Sequence, residues 1–284
     1  MEAQNNPTIS FAGSGNVGSF LSVELFKAGC SIKQIFSRTL ENAQILADKV
    51  NAEPIANIDQ IDDKIDLLIV ALPDRIISEF CKDLNAVLAK RKEAVETNGH
   101  DKPLLNVAST AGSVLLSEFS FPFILNGVLY PLQSFTMSTK PSVKNIPFCI
   151  EAEDGRLNIL LKHIAAMISD DVREVNSQQR LKLHLAAVYS SNFSNHLFAI
   201  AHKIIQQSNL DFNILWPLLS ETVNRLKECN PENVQTGPAI RNDVQTIEKH
   251  IELLSKYENE YFGRIYQLMS ESIQIMSTNK TDKN

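Results

Sequence analysis

The chain has 284 residues, 44% of them hydrophobic and 21% charged, with a formal net charge of −6. That length is comfortable for two cores rather than one, and the acidic balance gives no pull toward nucleic acid or anionic lipid. No apolar run approaches the length of a membrane span, so neither a membrane nor a nucleic acid is expected as a partner.

The opening Met1-Glu2-Ala3-Gln4-Asn5-Asn6 has neither the basic region nor the apolar stretch of a signal peptide, and the sequence predicts a cytoplasmic protein. Cys30, Cys81, Cys149 and Cys229 are far apart, and each reads as a small buried hydrophobe. His163, His184, His196, His202 and His250 lack Cys or carboxylate companions at ligand spacing, so no metal site is expected. The basic run Lys90-Arg91-Lys92, followed by Glu93 and Glu96, reads as a solvated helix end.

In chain order, the first element is the apolar run Ile9-Ser10-Phe11-Ala12, a strand that stops at Gly13-Ser14-Gly15-Asn16-Val17-Gly18. This is G-x-G-x-x-G between a strand and a helix, the context in which the motif signals a dinucleotide. Gly13 permits the tight turn, Gly15 leaves room for a pyrophosphate, and Gly18 lets the helix lie close on the sheet. An anion there meets free N–H groups and the positive end of the helix dipole. The helix runs from Ser19 to Ala28, with Phe20, Leu21, Leu25 and Phe26 inward and Gly29 closing it.

A second strand, Ile32 to Phe36, ends in Ser37-Arg38-Thr39. An acidic residue at this point would bind the ribose 2′-hydroxyl of NAD. A guanidinium flanked by two hydroxyls instead suits a 2′-phosphate, which favours NADP. The alternative is that the triplet only caps the next helix, from Leu40 to Lys49. After a short strand near Pro54-Ile55, the stretch Asp66 to Asp74 is apolar enough for a strand buried on both faces. Its end, Leu72-Pro73-Asp74, falls on the ligand-binding edge of an open α/β sheet. A helix from Ile76 to Lys92 and a polar loop from Thr97 to Lys102 follow.

The strand Leu104 to Ser109 ends in Ser109-Thr110-Ala111-Gly112, where small hydroxyl side chains leave room for a nicotinamide; a plain turn explains the hydroxyls equally well. Two late strands, Val128 to Phe135 and Ile146 to Glu151, close the sheet. Tyr130 and Gln133 are candidate substrate contacts at the end of the first, with Tyr130 alternatively a rim aromatic before Pro131.

From Asp154 the pattern turns helical. A helix to Ile168 precedes a long, mostly apolar one from Ser177 to Ser208, without proline or glycine, expected to be buried on several sides at the centre of an all-helical domain. On it His184, Ser191, Asn195 and His202 fall on one stripe, with Asn192 about 80° away at the 3.6-residue period. Such groups either face a cleft or bond to neighbouring helices. Further on, Thr236-Gly237-Pro238 reads as a helix start, with Arg241 and Asp243 on its first turn. Arg241 and Asp243 there can carry binding or proton-transfer roles, or pair with each other in a salt bridge. Amphipathic helices from Val244 to Tyr257 and Glu258 to Met276 precede a polar tail from Thr278 to Asn284.

The glycine turn, Ser37-Arg38-Thr39, the His184…Ser191-Asn192 spacing and Thr236-Gly237-Pro238-x-x-Arg241-Asn242-Asp243 together resemble the Rossmann-like NADP oxidoreductases that carry a C-terminal domain of unknown function. These are relatives of pyrroline-5-carboxylate reductase, of deazaflavin-dependent NADP oxidoreductases and of the 6-phosphogluconate dehydrogenase-like superfamily. The resemblance implies a doubly wound α/β Rossmann domain over residues 1–152 that binds NADP, and an all-α domain over 153–284. It further implies a homodimer through the C-terminal helices, and a small-molecule substrate in a cleft between domains. Thr236, Gly237 and Pro238 occupy the place where the reductases bring a helix N-terminus to the substrate. The β-hydroxyacid dehydrogenases differ, because Val188 stands where they carry a lysine four residues before Asn192.

The function expected is NADP(H)-dependent reduction of a small carbonyl or imine. His184 is the proton donor with Tyr130 behind it, Asn192 and Asn195 orient the substrate, and Ser191, Thr236, Gly237, Pro238 and Arg241 bind it. Gly13 to Gly18, Ser37 to Thr39, Leu72, Pro73, Asp74 and Ser109 bind the cofactor. The alternative is a non-catalytic NADP(H) sensor or scaffold.

Overall fold

The computed structural model describes residues 6–93, 105–136, 141–257 and 259–281. Glu96, the expected loop at 97–102, Leu104 at the head of the expected strand, and residues 282–284 of the expected tail lie outside the described residues.

By internal contacts the chain divides into two compact units, Met1–Asn192 and Phe193–Asn284. The first is built on an eight-stranded sheet: β1 (Thr8–Ala12), β2 (Ser31–Phe36), β3 (Glu53–Ile55), β4 (Leu67–Val70), β5 (Leu105–Ser109), β6 (Ile124–Pro131), β7 (Phe148–Ala152) and β8 (Val172–Glu174). Their order is β3-β2-β1-β4-β5-β6-β7-β8. The pairs from β3 across to β6 are parallel, β6–β7 is antiparallel and β7–β8 is parallel. Leu67, Leu68, Ile69 and Val70 of β4 are all fully buried, as a strand covered on both faces must be. The order reverses between β1 and β4, and ligands of open α/β sheets bind outside the strand ends at such a reversal. The sheet is thus the doubly wound, mostly parallel Rossmann arrangement.

Helices α1 (Asn16–Lys27), α2 (Leu40–Val50), α3 (Asp74–Glu93), α4 (Gly155–Ile168) and α5 (Ser177–Ala187) belong to this unit. Leu21 and Leu25 of α1 are buried, whereas Phe26, expected inward, is 40% exposed. The expected strand from Asp66 to Asp74 is shorter than its apolar run. It ends at Val70, because Pro73 cannot extend the ladder and Asp74 opens α3, where a carboxylate suits the helix dipole. Past residue 153 the chain does not turn wholly helical. Leu157, Leu161, Ile164 and Ala165 of α4 join the core under the sheet, and β8 extends the sheet beside β7. Arg91 of the basic run is tied to the carbonyls of Asp59 and Ile61, so that helix end is only partly solvated. Cys30, Cys81 and Cys149 are buried as expected, but Cys229 is exposed.

The expected helix over residues 177–208 is interrupted. A π-helical turn, Val188–Phe193, separates α5 from α6 (Ser194–Gln206). The second unit holds α6, α7 (Trp216–Arg225), α8 (Val244–Leu254) and α9 (Tyr261–Thr281). Neither α6 nor α7 buries a residue, and Phe198, Trp216 and Leu218 are 41%, 55% and 59% exposed. The burial expected of the long apolar helix is therefore absent from α6 in the single chain. Among the described residues no helix is long and apolar enough to cross a membrane.

Candidate functional site

The glycine turn sits between the ends of three strands. The Gly13 amide donates to the Phe36 carbonyl of β2 at 2.8 Å, and the Ala71 amide beyond β4 donates to Ala12 at 2.8 Å. The three glycines do different work. Gly13 has φ +116°, and a Cβ there would stand 2.3 Å from the Ala71 carbonyl oxygen. A Cβ on Gly18 would stand 2.2 Å from the Gly13 oxygen. A Cβ on Gly15 would meet nothing within 4 Å, so the space beside it is open. Gly15 is also the N-cap of α1, no side chain caps that helix, and its first turn carries no acid. Free amides, a helix N-terminus and a bare backbone facing open space are what a dinucleotide diphosphate requires, and NADP fits this cradle. Asn16 is anchored sideways, its amide donating to the Phe135 carbonyl at 3.0 Å. Ser14 bonds through its carbonyl, which accepts from Ser19 Oγ at 2.9 Å. Val17 packs against the core.

Ser37, Arg38 and Thr39 follow β2 directly. Arg38 and Thr39 are exposed, and Thr39, although at the N-cap position of α2, makes no side-chain cap bond. The capping alternative therefore accounts for position only and leaves the threonine hydroxyl available. Ser37 Oγ accepts weakly from the Thr39 amide at 3.5 Å.

At the end of β4, Leu72 is half-buried and Pro73 and Asp74 are exposed. The Asp74 carboxylate accepts a hydrogen bond from Ser113, joining the β4–α3 turn to the segment after β5. Ser109 is 1% exposed and its hydroxyl accepts from the Ala111 amide at 3.1 Å, which is the plain-turn use of that side chain. Gly112, three residues on, has a role that its sequence position did not reveal. A Cβ there would fall 2.6 Å from His184 Nδ1 and 2.8 Å from Tyr130 Cζ.

Those two residues form a pair. Tyr130 on β6 is 9% exposed, and its hydroxyl lies 3.2 Å from His184 Nδ1 on α5. Burial pushes the Tyr130 phenol up to about 12; the nearby Cys149 and Asp74 add to the rise and the Arg180 charge opposes it. The phenol thus keeps its proton at neutral pH, and histidine is the side-chain type that exchanges one there. Ser191, in the π turn, lies 3.2 Å from Ser134 beyond β6, hydroxyl to hydroxyl. Gln133 turns back on its own loop and accepts from the Ser134 amide at 2.8 Å.

The structure separates the polar stripe expected on the long helix. His184, Ser191 and Asn192 belong to the first unit, Asn195 and His202 to the second. A π turn has more residues per turn than the 3.6 assumed, so the angular phase is lost across it. His202 stacks edge-on to Phe212 at 5.3 Å, a packing role. Asn192 and Asn195 are exposed.

In the second unit Thr236-Gly237-Pro238 is a turn and not a helix start. Gly237 has φ +109° and Asn242 φ 52°, left-handed values that no helix can run through. The helix begins at Val244, capped by Asp243, whose carboxylate accepts from the Thr246 amide at 3.1 Å and from the Thr246 hydroxyl at 2.8 Å. Those bonds hold the Asp243 carboxyl below the usual range, with the charge of Arg241 a smaller cause. The helix N-terminus thus already holds a carboxylate. Thr236 and Arg241 remain exposed, and Pro238 is half-buried.

Residues 8–97 match the family described as NADP oxidoreductase coenzyme F420-dependent, and residues 146–273 match the domain of unknown function DUF2520. No curated protein matches the sequence. Among solved structures, a Bacteroides fragilis protein named as an NADP oxidoreductase is 34% identical, with 95% of this chain and 98% of that one covered and a TM-score of 0.81. Two pyrroline carboxylate reductases share the fold. That of Coxiella burnetii is 18% identical, covers 98% of both chains and has a TM-score of 0.56. That of Plasmodium falciparum, with NADP bound, is 12% identical over 97% of this chain and 100% of that one, at a TM-score of 0.54. The chain belongs to the NADP oxidoreductases that join an F420-dependent-type nucleotide domain to a DUF2520 domain, and NADP is the cofactor of that family.

Proposed function

We propose that this protein is an NADP(H)-dependent reductase of a small carbonyl or imine. The observation that carries the reading is the Tyr130–His184 pair, 3.2 Å apart and packed on Gly112, in the same unit as the glycine turn. NADPH, when bound, supplies a hydride. Reduction of C=O or C=N also needs a proton on oxygen or nitrogen, from a group suited to neutral pH. His184 is that donor. As the imidazolium, its Nδ1–H donates to the Tyr130 hydroxyl oxygen, which orients the ring, while Nε2 gives its proton to the substrate and leaves the neutral imidazole.

The amides of residues 15–18 bind the diphosphate, and Ser37, Arg38 and Thr39 hold the 2′-phosphate. Leu72, Pro73, Asp74 and Ser109 border the rest of the cofactor. The substrate's polar groups fall to Ser191 and Asn192, which share a unit with the pair. The helical half pairs with a second copy, a reading supported by the exposed apolar side chains of α6 and α7.

The test is a fluorescence titration with NADPH followed by a panel of carbonyls and imines. Saturable binding with NADPH oxidation by a panel member is the expected result. Tight binding with no oxidation across the panel would replace the reductase by a nucleotide sensor.

A further inference from the structure

Among the described residues Arg180 is the largest fully buried side chain, 1% exposed. A guanidinium is costly to bury, and the structure invests it at one point. It forms an ion pair with Glu151 of β7, donates to the Val114 carbonyl at 2.6 Å, and donates to Ser177 Oγ at 3.3 Å. Glu151 is further engaged by the Ser177 amide at 2.9 Å and hydroxyl at 2.8 Å, so the N-terminus of α5 is fastened to β7 twice over.

The three anchors matter because of what adjoins each. On α5, Arg180 stands one helical turn before His184 and on the same face. Val114 lies two residues after Gly112, whose missing side chain is what admits both members of the Tyr130–His184 pair. Strand β7 is the hydrogen-bonded neighbour of β6, which carries Tyr130. One planar fork therefore reaches the helix of the histidine, the strand beside the tyrosine, and the segment on which the two rings pack.

We propose that Arg180 is a positioning residue: its guanidinium locks α5, β7 and the segment after β5 in a single arrangement, and thereby holds the His184 ring against the Tyr130 hydroxyl. This rests on the reading of His184 as the proton donor. The role is geometric, since a side chain 1% exposed, with its bonds made to Glu151, Val114 and Ser177, offers no surface to a ligand. A lysine would keep the charge but lacks the fork that serves a carboxylate and a carbonyl together.

The test needs no substrate. The full chain, labelled with ¹⁵N-histidine and saturated with NADPH, is examined by NMR, and the His184 signals are assigned by their loss in His184→Gln. The bond to the Tyr130 hydroxyl makes neutral His184 favour one tautomer by about fivefold, the factor one net hydrogen bond supplies. In folded Arg180→Met and Arg180→Lys that preference falls to the value of Tyr130→Phe, while NADPH affinity stays within about twofold of the parent. Wild-type His184 signals in both arginine variants would overturn the proposal. So would wild-type signals in Arg180→Lys alone, because charge and not placement would then be at work. If neither variant folds, Arg180 is a folding determinant and the positioning role is discarded. A Tyr130→Phe protein with unchanged His184 signals would instead sink the ring pairing itself, whatever Arg180 does.

Discussion

Tyr130 and His184, 54 residues apart in sequence, meet at 3.2 Å because Gly112 has no side chain to keep them off the segment after β5. Of the two, only the imidazole is of a type that both gives and takes a proton near neutrality, since burial raises the phenol to about 12. Replacing His184 by alanine should leave NADPH binding within about twofold and lower turnover of an identified substrate by about 10²–10⁴, the range of a lost general acid. Stopped-flow oxidation of NADPH measures this, and retained turnover would remove His184 from the reaction.

The three glycines of the turn separate experimentally. Gly13→Ala forces a Cβ to 2.3 Å from the Ala71 oxygen at φ +116° and should cost about 1–3 kcal/mol of stability. A Cβ at Gly15 meets nothing within 4 Å, so Gly15→Val should melt like the parent while losing at least about tenfold in NADPH affinity. Thermal melts with and without NADPH distinguish the two outcomes. A Gly15→Val protein with parental affinity would remove the diphosphate from that space.

Much of the nucleotide half was legible because each signal was local. Alternating and continuous apolar runs marked β1, β2, β4 and β5, and the G-x-G-x-x-G spacing marked the turn between β1 and α1. What was not legible depended on distant partners. Gly112 looks like any turn glycine until two rings from β6 and α5 arrive beside it. Arg180 carries no signal in the sequence, because its partner Glu151 lies 29 residues away on another element. The stripe along residues 184–202 presupposes an ideal 3.6-residue period, and one π turn cancels it. Thr236-Gly237-Pro238 carries cap-like residues, but Gly237 takes a left-handed φ and Asp243 caps the helix that actually follows.

Arg38 should decide between the two pyridine nucleotides. A charge-assisted hydrogen bond to a phosphate contributes about 1.5–3 kcal/mol. Arg38→Gln should therefore weaken NADPH by about 10- to 150-fold and leave NADH within about twofold. Calorimetric titration with both nucleotides reads this ratio. Equal losses for the two would mean that Arg38 does not touch the 2′-phosphate.

The buried phenol also sets a pH dependence. Burial pushes the Tyr130 phenol from 10.0 up to about 12. Between those values the unfolded chain has released a proton that the folded chain keeps, so the stability it contributes is complete below pH 10 and is lost as pH rises through 12. The melting temperature should fall across that window, and less steeply in Tyr130→Phe. Parallel melting curves for the two proteins would contradict the burial of this hydroxyl.

The exposed apolar side chains of the helical unit make the last prediction. Leu197, Phe198, Ile214, Trp216 and Leu218 are between 36% and 63% exposed, on elements that bury nothing of their own. Leaving so many large apolar side chains in water is unfavourable at roughly 25 cal/mol per Å², and covering them with a second copy removes that cost on both sides at once. Sedimentation equilibrium should give a dimer for the parent chain. Phe198→Glu buries a charge in any such interface and should shift the protein to monomer, with the secondary structure unchanged by circular dichroism. A parent chain that sediments as a monomer at every concentration up to about 100 µM, well above the dissociation constants of stable dimers, would rule out the pairing.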